Sequence, residues 1–378
     1  MLKLSPIIIQ KTRYTFIFAY GYNPGLYFQR NKNLIMTKIR TALVGSYAQP
    51  DWLIDREALR NRLPARILTG DMWKIPPEDR QEAMDDAVLS ILDDQEIAGI
   101  DIVTDGEVRR ESYSAPFANA PEGIDRERVE TLIGRAGKPN KVPLISGPLK
   151  RVSPVHVDDV KFMRAHTDRT LKITIPGPFT LSQLAVSEYY KTPAEVAMAY
   201  AECLNEEIHD LFAAGADIVQ FDEPYLQARY EDAKAYGAEA VNRALEGVKG
   251  TTALHVCFGY AAMVSEKSGD GYSCLPLVND INVDQVSIEA AQPQLDLGAA
   301  LNALPSKIIM VGVLNLGDET PETAEIVADR LRAALEFVPP ERIIAAPDCG
   351  LKYLPRASAR AKLKALADGA AIVNAELN

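Results

Sequence analysis

His255 and Cys257 stand two apart in "LHVCFGY" (254–260), in a chain with only four histidines and four cysteines. Side chains i and i+2 of a β-strand share a face, so an imidazole and a thiol would project together. The pair suits a metal site, and it suits equally a core histidine beside an ordinary buried cysteine. Other apolar runs end in comparable chemistry. Gly45 and Ser46 follow "TALV", and "DGEVRRES" places Glu107, Arg109 and Arg110 after "DIVT". Asp222 and Glu223 follow "DIVQF", Glu289 follows "DQVSI", and Asp348 and Cys349 follow "RIIAAP". His255, Cys257, Glu289 and Cys349 together offer one nitrogen, two sulfurs and a carboxylate, a reasonable tetrahedral set for Zn2+. Soft thiolates select zinc over magnesium or calcium. Ligands from separate strand ends, rather than paired CxxC knuckles, suggest a substrate thiol that joins or displaces them and is held as thiolate. Asp105 and Asp318 need no more than a capping role.

The elements that must position these residues alternate regularly. Strand candidates fall at 41–46, 101–105, 171–175, 217–222, 252–257, 284–289, 307–313 and 342–347. Helical patterns fill 78–98, 193–214, 229–247, 321–337 and 356–370, with Thr-Pro starts at Thr192 and Thr320. Gly99 and Gly215 stand where a helix must stop. Continuous apolar strands alternating with helices imply a parallel sheet covered on its outside, and eight repeats imply an α/β fold, a single (β/α)8 TIM barrel. In that fold chemistry gathers at the C-terminal strand ends. The long interval after the second strand reads as a hairpin excursion, with arms at 141–150 and 151–157. A doubly wound open sheet would bring a glycine-rich phosphate loop after its first strand, and "VGSYAQP" is not one.

The chain has 378 residues, 47% hydrophobic and 25% charged, as expected of a globular protein. Its net charge of −11 argues against nucleic acid as a partner. Four cysteines are too few to staple it, which favours a reducing, cytoplasmic setting. No apolar run is long enough for a membrane span. Residues 1–35 hold seven aromatics, five basic residues and no acidic one. They read as an extension or an upstream start, with the barrel domain over 36–378.

"VGSYAQP", "DGEVRRES", "IPGPFTL", "VQFDEPYL", "HVCFGY", "VSIEAAQ" and "PDCGLKYLP", in that order, resemble the catalytic barrel of the cobalamin-independent methionine synthases. The resemblance implies a zinc-dependent methyltransferase of amino-acid biosynthesis. The family's zinc ligands fall on His255, Cys257, Glu289 and Cys349. Its homocysteine-binding positions fall on Val44, Gly45, Ser46, Glu107 and Asp222. Other family features are missing. Leu184 stands where the family stacks a tryptophan on folate, Ala228 replaces a folate-contacting glutamate, and Gly317 replaces a proton-donating histidine. An insert, "SEKSGDGYSCLPL", lengthens the interval between Cys257 and Glu289. The resemblance therefore implies homocysteine as acceptor and a donor other than polyglutamyl methyl-folate, such as a methylcorrinoid. Transfer to another thiol such as coenzyme M is an alternative, although a sulfonate acceptor would want cations where Glu107 and Asp222 stand. A non-catalytic zinc or amino-acid binding barrel is the other. Glu223 reads as a neighbour of the ligands or a helix cap, and Arg109 and Arg110 as anion binders or rim ion pairs.

Overall fold

All eight runs become parallel strands of one sheet that curls back on itself. In chain order the strands are β1 (Arg40–Thr41), β2 (Ile102–Val103), β3 (Glu122–Ile133), β4 (Pro139–Lys150), β5 (Thr170–Pro176) and β6 (Val186–Ser187). They continue with β7 (Ile218–Asp222), β8 (Thr251–Val256), β9 (Gln285–Ile288), β10 (Ile308–Leu314) and β11 (Ile343–Pro347). The barrel runs β1-β11-β10-β9-β8-β7-β5-β2, and a parallel bridge between Ala42 and Ile102 joins its two ends. This computed structural model describes residues 38–60, 64–134, 137–261, 264, 267 and 271–378. The expectation for residues 1–35 lies outside them. No helix among the described residues is long and apolar enough to cross a membrane.

Period-two alternation sorts each strand into an outer face under the helices and an inner face. Ala42, Ile102, Ile218, Ala253, Met310 and Ile344 cluster as the apolar part of the interior. Each buried aliphatic side chain of that size contributes about 1.5–3 kcal/mol. Two residues further along β7, β8 and β9 the same inner face turns polar, at Gln220, His255 and Ser287, all buried. The chemistry thus begins on the last strand residues, His255 and Asp222, and continues into the segments just beyond the strand ends.

Helix boundaries follow local chemistry. Thr192 caps Pro193–Ala213 in a full capping box with Glu195, and Gly99 ends Arg80–Ala98 at φ 89°. Thr323, not Thr320, caps Ala324–Leu335, because its hydroxyl reaches the Ile326 N–H. The helix expected over 229–247 runs from Tyr230 to Ala244 with a π-helical turn inside it at Ala233–Gly237. Gly237 allows close packing there: a Cβ would lie 2.8 Å from Leu226 Cδ2.

The hairpin excursion is present after the second strand, with different arms. β3 pairs antiparallel with β4, and β6 adds in parallel. The expected arm at 141–150 is β4, whereas 151–157 leads into the helix Val157–His166. The missed arm, β3, is charged and mostly exposed, so it carries no apolar face to betray it.

Candidate active site

β8 places His255 and, just beyond its end, Cys257 on the inner face. Cys349 follows β11 on the adjoining side of the mouth. Their ligand atoms all lie within 4.8 Å of one another, and all three residues are buried. His255 Nδ1 is 3.0 Å from the hydroxyl of Ser287, its register partner on β9, while Nε2 has no partner among the described residues. With Nδ1–H donating to Ser287, the Nε2 lone pair is turned toward the sulfurs, the arrangement by which metal-ligating histidines are oriented. The Cys257 sulfur beside it, together with burial, pushes the Cys349 thiol well above its ordinary range. Two adjacent buried thiolates need a cation.

Glu289 stands at the edge of this group rather than within its tightest cluster. Its Oε2 accepts from Lys267 Nζ at 2.6 Å, in an ion pair buried on both sides, while Oε1 is buried and has no partner among the described residues. Asp348 fixes the loop that carries it by accepting the N–H groups of Ala290, Ala291 and Gln292. That bracket holds Glu289 next to Cys349. Unpartnered imidazole nitrogen, unpartnered carboxylate oxygen and two thiols form a donor set suited to a tetrahedral soft metal.

A second group adjoins the first at the mouth, with Asp222 the register partner of His255 on the neighbouring strand. Gly106 and Glu107 both have positive φ (64° and 52°), and the Glu107 value is rare for a residue with a side chain. Asp105 holds this turn by accepting the Glu107 N–H at 3.1 Å. Glu107 Oε1 accepts from Thr174 Oγ1, and Oε2 is buried without a partner among the described residues. Asp222, at the end of β7, accepts from Gln220 Nε2 at 2.9 Å. Burial and the facing Glu107 carboxylate raise Asp222 to about 7. Gly45 must be glycine, since a Cβ would lie 2.7 Å from Glu107 Oε1. Gly350 likewise makes room for Ser46, whose Oγ would be 2.0 Å from a Cβ. Val44 offers its carbonyl to Gln220.

The remaining candidates separate cleanly. Arg109 is a rim residue that pairs with Asp85 and Asp159 and lies over Phe162. Arg110 turns inward to Thr174 and Asp105. Glu223 is a cap, but for a neighbouring segment: it accepts from Phe179 N–H, Thr180 N–H and Thr180 Oγ1. Ser287, Lys267, Gln220, Thr174 and Lys172 were not singled out in the sequence. Ser287 was within reach, two residues before Glu289 on one strand face.

A model of the cobalamin-independent synthase catalytic domain matches residues 39–372. The chain belongs to that family. Archaeal relatives named methionine synthase agree: the Saccharolobus solfataricus protein is 35% identical over 342 residues, covering 89% of this chain and 95% of its own. That of Sulfurisphaera tokodaii is 35% identical over 339 residues, covering 89% and 93%. A solved B12-independent methionine synthase from Shewanella sp. W3-18-1, in complex with selenomethionine, superposes with a TM-score of 0.81 at 34% identity, covering 90% of this chain and 99% of its own. The protein is thus a methyltransferase of the methionine synthase type.

Proposed function

We propose that this enzyme methylates the thiol of homocysteine to give methionine, at a zinc ion held by His255, Cys257, Cys349 and Glu289. The observation that carries the reading is the buried donor set beside a pair of buried carboxylates at one barrel mouth. Zinc, when bound, would stabilise the substrate thiol as its thiolate at neutral pH. Ser287 orients the imidazole, and Asp348 keeps Glu289 beside Cys349. Glu107 and Asp222 take the substrate ammonium, for which two carboxylates are suited. The Val44–Gly45–Ser46 turn takes the substrate carboxylate. Fixing both ends of the amino acid aims its sulfur along the line of attack and lowers the entropic cost of transfer.

The donor side of this reading is a cavity of about 340 Å³ between the hairpin and the mouth, lined by Arg66, Leu132, Asn140, Leu184, Tyr225 and Tyr260 among others. That volume is near the lower end for small-molecule sites. It suits a flat heterocycle carrying the methyl group, whereas a corrinoid macrocycle would have to present its methyl from outside the mouth. Calorimetric titration of the zinc-loaded protein with homocysteine and, in parallel, coenzyme M tests the acceptor. Homocysteine binding with proton release is expected; binding of coenzyme M alone would overturn the assignment. Turnover with methyl-folate and with methylcobalamin then identifies the donor, and no turnover with any methyl donor would favour a binding protein.

A further inference from the structure

Glu107 and Asp222 come from different strands, yet each is held by the same kind of device. Gln220 donates through Nε2 to Asp222 Oδ1 at 2.9 Å and to the Val44 carbonyl at 3.0 Å. Its Oε1 accepts from Lys172 Nζ at 2.5 Å, in the barrel interior, where Lys172 is wholly buried. The amide is therefore locked one way round. A flip would turn its oxygen onto a carbonyl and a carboxylate. Opposite, Thr174 Oγ1 accepts from Arg110 Nη1 at 3.1 Å and donates to Glu107 Oε1 at 3.1 Å. A guanidinium only donates, so the single hydroxyl proton must point at Glu107. Arg110 is itself fixed by Asp105, whose other oxygen holds the Glu107 N–H.

We propose that Lys172 and Arg110 are positioning residues for the acceptor, aiming Asp222 and Glu107 through Gln220 and Thr174. This rests on the reading that the two carboxylates hold the substrate ammonium. Each relay occupies one carboxylate oxygen and leaves the pair's remaining capacity for the ligand; Glu107 Oε2 is buried without a partner among the described residues. Preorganisation of this kind separates an amino-acid thiol from the same thiol lacking its amino group. The relays thereby set acceptor specificity without touching the substrate.

The test compares homocysteine with 4-mercaptobutanoate, which keeps the thiol and the carboxylate but lacks the ammonium, on zinc-loaded protein. Thr174→Val removes one relay, and Lys172→Met combined with Gln220→Met removes the other without stranding a buried donor. Each is expected to raise the homocysteine KM about 10- to 100-fold, the scale of a lost hydrogen bond to a charged group. The expected change in kcat is under about threefold, with 4-mercaptobutanoate unaffected. Thr174→Ser, which keeps the hydroxyl and folds most safely, is expected to restore discrimination. Folded relay variants that discriminate like the unmodified protein, while Glu107→Gln does not, would overturn the relays alone. An unmodified protein that treats both thiols alike would overturn the ammonium reading itself.

Discussion

The metal reading makes its sharpest demand on a residue that would not touch the metal. Ser287→Ala deletes the hydrogen-bond partner that the described residues give His255 Nδ1, 3.0 Å away in a buried site. Without metal the ring can turn or exchange tautomer, so the loss is of the order of an ordinary hydrogen bond, about 0.5–1.5 kcal/mol. With metal bound, Nε2 is committed and Nδ1–H is stranded, which costs about 1–3 kcal/mol. The difference falls on zinc affinity. That difference, about 0.5–1.5 kcal/mol, should weaken zinc binding by about fivefold, reaching at its upper end the tenfold effect typical of such outer partners. Competition with a chromophoric chelator measures the affinity, and thermal unfolding of the metal-free protein reads the smaller term. Zinc affinity within about twofold of the unmodified protein, with a lowered Tm, would show that Ser287 only packs and does not orient a ligand.

Lys267→Met breaks a buried ion pair, which costs about 3–5 kcal/mol when one charge is left alone. Metal-free protein should melt earlier, and added zinc should restore more stability than in the unmodified chain, as scanning calorimetry would show. Gly350→Ala sets a methyl against Ser46 and should cost about 1–3 kcal/mol through overpacking; the homocysteine KM should rise with it, and an unchanged KM would detach Ser46 from the substrate. Asp222, raised to about 7 among Glu107, Lys172, His255 and Cys257, must be ionised to hold an ammonium. Proton uptake on the empty site opposes binding, so homocysteine affinity should fall as pH drops below about 7, and calorimetry in buffers of different ionisation heat should show proton release.

Strand ends were legible in the sequence because two simple patterns coincide there: apolar runs with period two, and titratable residues just where those runs stop. His255 and Cys257 share a face for that reason, and Glu289, Asp222 and Cys349 follow their runs in the same way. Lys172, Gln220 and Thr174 were not legible. A polar residue inside an apolar run looks like noise until a closed barrel turns the inner faces of β5 and β7 to one interior. Lys267 was hidden differently, within an insert noted only for its length. The charged arm of the hairpin was missed because neither face of it is apolar. Thr320 drew attention over Thr323 because proline after threonine is a strong start signal, and here the chain delays its helix by three residues.

The seam of the barrel divides the mouth into two mechanical halves. β8 and β9, which bring His255, Cys257 and Glu289, are paired on both sides through four or five registers, and β11, which leads to Cys349, has five with β10 and two with β1. β1 and β2, which lead to Gly45, Ser46 and Glu107, are two residues long and share one backbone bridge, Ala42 with Ile102, beside the Tyr47 N–H bond to the Gly106 carbonyl and side-chain bonds of Asp101 and Thr104. Opening of that joint exposes few backbone hydrogen bonds, and local opening is cheapest where few must break. The wall beside the amino-acid end of the acceptor is thus the compliant one, while the donor atoms stay in a stiff frame. Amide exchange should be faster at residues 42–47 and 102–107 than along β8 and β9, and it should slow at the seam when the acceptor binds.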